Sequence, residues 1–109
     1  MKFTLNNTEY HIRFYRSLKD LQLRRGKKMV TFNTVCTECK VVVPDGNDGK
    51  TVAYSSAQCS PKDRFVKDIG RRVTINRMVN DLNNSGQNDL AAAVQRTYDN
   101  RIQMAMEAV

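Results

Sequence analysis

The sequence lacks the features that mark secreted, membrane-spanning or disulfide-linked proteins. It has no apolar run near the roughly 18 to 20 residues that cross a bilayer, and its polar first residues, 1–7, lack the hydrophobic segment of a signal peptide. Its three cysteines are an odd number, which argues against a disulfide framework and for reduced thiols. We therefore expect a cytoplasmic protein with no membrane partner.

The sequence also has few residues in patterns typical of catalysis. It contains no nucleophile motif and no pair of acids at a catalytic spacing. Gly46 and Gly49 fall in a predicted turn between strands instead of between a strand and a helix, which excludes a P-loop. His11, the single histidine, has no evident acidic partner and is predicted to be a strand residue, not a general base. We expect a protein that is not an enzyme and that needs no cofactor.

The cysteines raise the question of a zinc site. Cys36 and Cys39 have the spacing of a ligand pair, and Cys59 with His11 would complete a set of four. However, the segment between them contains no glycine for a tight reversal, and positions three apart on a strand point to opposite faces. We therefore favour small buried hydrophobic side chains at these positions, with zinc as the alternative.

Positive charge is abundant. The chain has 18 Lys and Arg against 11 Asp and Glu, a formal net charge of +7. Such a balance favours partners that carry phosphate, from nucleotides to nucleic acid. With 109 residues the chain is long enough for one domain with a modest core. Oligomerisation would supplement that core.

The pattern along the chain predicts an α+β fold in which a small antiparallel sheet of hairpins is followed by two C-terminal helices. Asn6-Asn7 and the segment 44–49 have turn composition, and Ser17 to Asp20 resembles a capping box that starts one or two helical turns ending at Gly26. We predict a single domain, 1–109, with strands mainly in 1–58 and helices mainly in 60–106. The predicted strands are 2–5, 8–14, 29–43 (with a possible bulge) and 50–58.

The first helix is predicted to begin at Pro61, with Ser60 as its N-cap and Asp63 as the capping-box acid. Helical spacing then defines one apolar stripe directed at the core: Phe65, Val66, Ile69, Val73, Val79 and Leu82. On the second helix, a four-residue interval defines a seam that would pack on the first helix or on another subunit: Leu90, Val94, Tyr98, Ile102 and Met106.

Basic residues surround the predicted apolar stripe of the first helix: Lys62, Arg64, Lys67, Arg71, Arg72 and Arg77. A solvated charged surface is one interpretation; a phosphate site is the other. Guanidinium groups bind phosphates through paired N–H donors, and an aromatic ring among Phe14, Tyr15, Phe32, Tyr54 and Phe65 would stack on a base. The candidate ligand-binding residues are Lys62, Arg71, Arg72, Asn76 and Arg77, with Arg96 and Arg101 from the second helix.

The start of the first helix resembles a family of small bacteriophage proteins. The shared residues are Cys59-Ser60-Pro61-Lys62-Asp63-x-Phe65-x-Lys67-x-x-Gly70-Arg71-Arg72, and the similarity spans about residues 28–82. The family is the phage anti-Thoeris sponge family, Thoeris anti-defence one. The resemblance implies a homo-oligomer with ligand pockets at the edges of its subunits. The resemblance implies a non-enzymatic protein that sequesters cyclic ADP-ribose isomers made by bacterial TIR-domain proteins, and in some members cyclic oligonucleotides. Lys62, Arg71 and Arg72 fall on the shared motif, whereas Arg96 and Arg101 lie outside it.

The leading hypothesis is therefore a phage anti-defence homo-oligomer, in the host cytoplasm, that binds a small phosphorylated nucleotide signal without altering it. The runner-up is a phage nucleic-acid-binding protein, which needs the same net charge arranged as a continuous basic track. Its affinity for DNA or RNA should then fall steeply with added salt. A third hypothesis is an inhibitor whose basic face docks on an acidic host protein.

Overall fold

A computed structural model describes residues 1–45, 49–59 and 64–107 of the chain. The strands form one antiparallel sheet in the order β1-β2-β3-β4, and both helices follow the sheet in sequence. This arrangement confirms the predicted α+β fold. The elements are β1 (Lys2–Leu5), β2 (Thr8–Arg25), β3 (Lys28–Val43), β4 (Lys50–Gln58), α1 (Lys67–Asn84) and α2 (Asn88–Glu107).

The first hairpin has the turn that its sequence predicts. Asn6 and Asn7 have φ angles of 52° and 65°, and Leu5 pairs with Thr8 across them. Two consecutive positive φ angles match the twist of antiparallel strands, and asparagine tolerates them better than most residues. The long strand β3 is also confirmed, with an irregularity between Val41 and Val42 where it pairs with β4.

The helical turns predicted between Ser17 and Gly26 are wrong, because β2 continues as a strand through this segment. Gly26, with φ of 62°, lies in the two-residue turn between β2 and β3 and does not end a helix. The apolar residues explain the outcome: Leu21 pairs with Phe32 and Leu23 with Val30. These cross-strand pairs stabilise a sheet and outweigh a local capping signal.

The two helices cover one face of the sheet. Ile12, Cys39 and Val41 point from the sheet into the core and are at most 2% exposed. They meet Ile75 and Met78 of α1, together with residues of α2. Burying each large apolar side chain contributes about 1.5 to 3 kcal/mol. No helix in the described ranges has the length and apolarity needed to cross a bilayer.

The start of α1 differs from the prediction. Ser60, Pro61, Lys62 and Asp63 lie outside the described residues, but residues 64–66 are not helical. The helix begins at Lys67, after Val66 in an extended conformation with φ of −125° and ψ of 115°. The predicted helix is therefore wrong over 64–66.

The apolar stripe of α1 also differs. Val66 and Ile69, which were predicted to face the core, are 43% and 59% exposed. Ile75 and Met78, which the stripe did not include, are buried, whereas Leu82 is buried as predicted. Ile75, Met78 and Leu82 are separated by three and four residues, so the buried stripe lies next to the predicted one and shares Leu82 with it. The seam on α2 is buried at Leu90, Val94 and Tyr98, but Met106 at its end is 69% exposed.

Gly70 allows the first turn of α1 to approach β3. A Cβ at this position would overlap Oγ1 of Thr37, a buried side chain, and would lie 3.2 Å from its Cβ. Alanine favours a helix by about 1 kcal/mol over glycine, but overpacking costs typically about 1 to 3 kcal/mol. We therefore expect Gly70→Ala to lower the free energy of unfolding, measured by urea denaturation.

The same substitution in a Thr37→Ala background provides the control. Removing Oγ1 relieves the closest contact, so we expect Gly70→Ala to cost much less there than in the natural background. An equal cost in both backgrounds would contradict the close approach of α1 to β3.

Candidate functional site

Two adjoining cavities lie between the sheet and the start of α1, and both are lined by Thr37 and Phe65. We call them together the Phe65 groove. The first has a volume of about 340 Å³ and carries Arg64 and Arg77 on its walls. The rest of its lining is largely apolar and includes Val35, Ala57, Val66, Ile69 and Val73.

The second cavity of the groove, of about 260 Å³, is more cationic. Arg16 comes from β2, whereas Lys67 and Arg71 come from the first turns of α1. The guanidinium carbon of Arg16 lies 5.9 Å from the centre of the Phe65 ring, and that of Arg71 lies 5.0 Å from the centre of the Phe14 ring. Both distances suit a cation–π contact, which holds the charged group at the cavity wall.

No described residue of the groove neutralises this charge. Five cations line the two cavities, and no Asp or Glu is among their described lining residues. Within residues 1–45, 49–59 and 64–107 the one acidic and basic pair within 4.0 Å is Glu9 Oε2 with His11 Nε2, at 3.5 Å, and it is an ion pair only when the imidazole is protonated. Glu9, two residues before His11 on the same strand, is therefore an acidic neighbour that the sequence analysis overlooked. Unpaired cations in a concave site attract anions, because low-dielectric walls concentrate their field.

Hydrogen bonds fix the middle of α1 and one of the arginines. Arg77 Nη1 donates to the carbonyl oxygen of Ser56 at 2.7 Å, and Ser55 Oγ donates to the carbonyl oxygen of Thr74 at 2.7 Å. Both bonds join α1 to β4. A guanidinium has five N–H donors, so Arg77 retains donors for a phosphate while its position is held.

The predicted ligand-binding residues do not all line one cavity. Arg71 and Arg77 line the groove, on its second and first cavity respectively. Arg101 lines a third cavity, of about 370 Å³, that also includes Arg71, Asp68 and Tyr98. Arg72, Asn76 and Arg96 are exposed and line none of these three cavities. Lys62 lies outside the described residues.

Arg72 lies near the second helix. Burial raises the pKa of the Tyr98 phenol, and Arg72 opposes that effect through its charge and a side-chain hydrogen bond. In the same region, burial lowers the pKa of the Met1 amino group, and the nearby charge of Arg101 lowers it further. Arg72 therefore lies near Tyr98 and Arg101 near the Met1 amino group, and neither arginine lines the Phe65 groove.

Arg16 was missed by sequence reasoning, because β2 was predicted to end at Phe14. Three of the five proposed stacking aromatics line the groove: Phe14, Tyr15 and Phe65. Tyr54 instead donates a hydrogen bond of 2.6 Å to Glu38 Oε1. This bond lowers the pKa of Glu38 and raises that of Tyr54. Phe32 lies beneath Arg25, whose guanidinium carbon is 5.1 Å from the ring centre.

The cysteines do not converge on a metal. Cys36 and Cys39 are both buried in β3, and their spacing of three places them on opposite faces of the sheet. Among the described residues, no three His, Cys, Asp or Glu side chains are grouped so as to hold a metal ion. Burial raises the pKa of the Cys39 thiol to about 12.

We expect Cys39 to resist alkylation in the folded protein, because the thiolate is the reactive form. Its raised pKa stabilises the folded state below about pH 9, the ordinary value, and this contribution is lost as the pH rises toward 12. Mass-spectrometric mapping of iodoacetamide labelling should therefore show Cys39 modified only after urea is added. Rapid labelling of Cys39 at neutral pH without denaturant would contradict its burial.

Comparisons with known proteins add no relative. The chain matches no protein-family model, no curated protein and no solved structure.

Proposed function

We propose that the chain is a phage anti-defence protein that binds and sequesters a cyclic nucleotide signal in the Phe65 groove, without altering it. The ligand is a cyclic ADP-ribose isomer or a cyclic oligonucleotide. The observation that carries the proposal is the groove itself, in which five cations without acidic partners in the described lining surround an aromatic ring. The resemblance of the segment from Cys59 to Arg72 to anti-Thoeris sponges supports the same ligand class.

The two cavities differ in a way that suits the two halves of a nucleotide. The first has apolar walls at Val35, Ala57 and Val73 and can accept a base beside Phe65. The second has Arg16, Lys67 and Arg71 and can accept phosphates. In this arrangement, base and phosphate lie on either side of Phe65. Arg64 and Arg77 supply further donors at the first cavity.

We also propose that the protein works as a homo-oligomer in the host cytoplasm, with the groove near a subunit edge. Val66 and Ile69, on the groove lining, are largely exposed, and a neighbouring subunit would cover them. Light scattering coupled to size-exclusion chromatography should then give a multiple of 12.5 kDa. A strictly monomeric protein at micromolar concentration would contradict this part of the proposal.

The ligand class is tested by retention and release. The purified protein is incubated with a panel of cyclic ADP-ribose isomers, cyclic oligonucleotides and linear nucleotides, freed from unbound compound, and denatured. Mass spectrometry should identify an intact cyclic nucleotide in the released fraction, whereas nucleosides without phosphate should not be retained. A converted product would indicate an enzyme, and no retention of any compound would contradict the proposal.

A further inference from the structure

The β2–β3 hairpin extends beyond the rest of the sheet as a two-stranded ribbon. Strand β4 pairs with β3 only from Cys36 to Val43, so residues 18–25 and 28–35 pair with each other alone. Eight residue pairs at about 3.3 Å each give a ribbon of roughly 25 Å. The elongation shows in the overall dimensions of 55 × 35 × 30 Å. We call this segment the β-ribbon.

Most of the net charge of the chain is located on or next to the β-ribbon. Between Arg16 and Val35 the sequence has six basic residues and one acidic residue, Asp20. The four at the tip are all exposed: Arg24, Arg25, Lys27 and Lys28. The formal charge of this segment is therefore +5, compared with +7 for the whole chain. The Phe65 groove shares Arg16 and Val35 with this segment but none of the four cations at the tip, so the tip is a separate feature.

The two faces of the β-ribbon differ. One face carries the half-buried pairs Leu21 with Phe32 and Leu23 with Val30, and Arg25 stacks over Phe32 on this side. The other face carries the exposed polar side chains of Asp20, Gln22, Thr31 and Asn33, with the exposed apolar side chains of Leu18 and Met29 at its two ends. The apolar pairs hold the two strands together, and the polar face is left with donors and acceptors toward solvent.

We propose that the β-ribbon binds double-stranded DNA by entering the major groove. That groove is about 12 Å wide and admits a two-stranded ribbon, whereas the deep, narrow major groove of A-form RNA does not admit side chains. The cations of the tip then contact phosphates on both sides of the groove. The polar face, with Gln22 and Asn33, meets the base edges, where amide side chains pair with adenine.

The experiment compares two triple variants with the same change in charge. The ribbon variant is Arg24→Gln, Lys27→Gln, Lys28→Gln, which leaves Arg25 on Phe32. The control is Lys2→Gln, Arg13→Gln, Lys50→Gln, which removes three exposed cations away from the β-ribbon and the Phe65 groove. Binding to a fluorescent DNA duplex is measured by anisotropy from 50 to 300 mM salt, and circular dichroism verifies folding.

We expect the natural protein to bind the duplex with a steep salt dependence. The ribbon variant should lose about 100-fold in affinity near 100 mM salt, and the slope of log affinity against log salt should fall by about 3, since each phosphate contact contributes about 0.9. The control variant should stay close to the natural protein. Equal losses in both triples, or no duplex binding by the natural protein, would overturn the proposal. A preference for RNA or for an acidic protein would overturn it as well.

Nucleotide retention, measured on the same ribbon variant, separates this proposal from that for the Phe65 groove. The variant should retain a cyclic nucleotide as well as the natural protein does, because none of its three changed residues lines the groove. Loss of DNA binding with intact nucleotide retention is the expected pattern. Loss of both together would contradict two independent sites.

Discussion

Replacing both Arg71 and Arg77 with alanine is expected to weaken binding of a cyclic nucleotide by about 100-fold or more. The two guanidinium groups line the two cavities of the Phe65 groove, and each can give charge-assisted hydrogen bonds to phosphate. A hydrogen bond to a charged group contributes about 1.5 to 3 kcal/mol, and 1.4 kcal/mol corresponds to a tenfold change in the dissociation constant. Isothermal titration calorimetry measures the loss.

The control for this double variant removes two cations elsewhere. Lys2→Ala and Arg13→Ala change exposed residues that line neither cavity of the groove, so together they should change the dissociation constant by less than about threefold at physiological salt. A second comparison uses Arg72→Ala with Arg96→Ala. If that pair abolishes binding while Arg71→Ala with Arg77→Ala does not, the ligand lies on the open surface of the helices and the groove is the wrong site.

The largest expected loss of stability comes from Ile75→Ala, at about 2 to 5 kcal/mol. Ile75 is fully buried between the sheet and α2, and its truncation removes apolar burial and leaves a cavity. Domains of this kind have total stabilities of about 5 to 15 kcal/mol, so the loss is a large fraction. Urea denaturation followed by circular dichroism gives the change in the free energy of unfolding.

Ile69→Ala is the matched control, because it makes the same chemical change on the same helix. Ile69 is 59% exposed, so we expect a loss below about 1 kcal/mol. The sequence-based stripe placed Ile69 in the core and did not include Ile75. Equal losses for the two variants would therefore contradict the rotation of α1 seen in the structure.

The sheet was predictable where turn residues mark it. Asn6-Asn7 tolerate positive φ, and the segment after Val43 has turn composition, so the first hairpin and the β3–β4 pairing follow from local chemistry. The β-ribbon was not predictable in the same way. Ser17 to Asp20 imitates a helix start, and the pairs Leu21 with Phe32 and Leu23 with Val30 become visible only once two distant segments are aligned.

The candidate site was partly predictable for a similar reason. The cations of α1 are evident from the sequence, and Arg71 and Arg77 do line the groove. Which cations share a cavity depends on the rotation of α1, which Thr74, Ile75 and Met78 set by packing on the sheet. Arg16 reaches Phe65 from a strand far away in sequence. A periodic pattern of residues within one helix or strand cannot predict a contact between residues so far apart in sequence.

The most direct test of the central claim, that the Phe65 groove binds the nucleotide, is a titration of the isotopically labelled protein by two-dimensional NMR. A cyclic ADP-ribose isomer retained by the protein should shift the amide signals of Thr37, Ala57, Phe65 and Gly70, which surround the two cavities. Signals of the β-ribbon tip, from Arg24 to Lys28, should remain in place. Shifts confined to the tip or to the exposed surface around Arg72 and Arg96, with none at Thr37 or Phe65, would contradict the account.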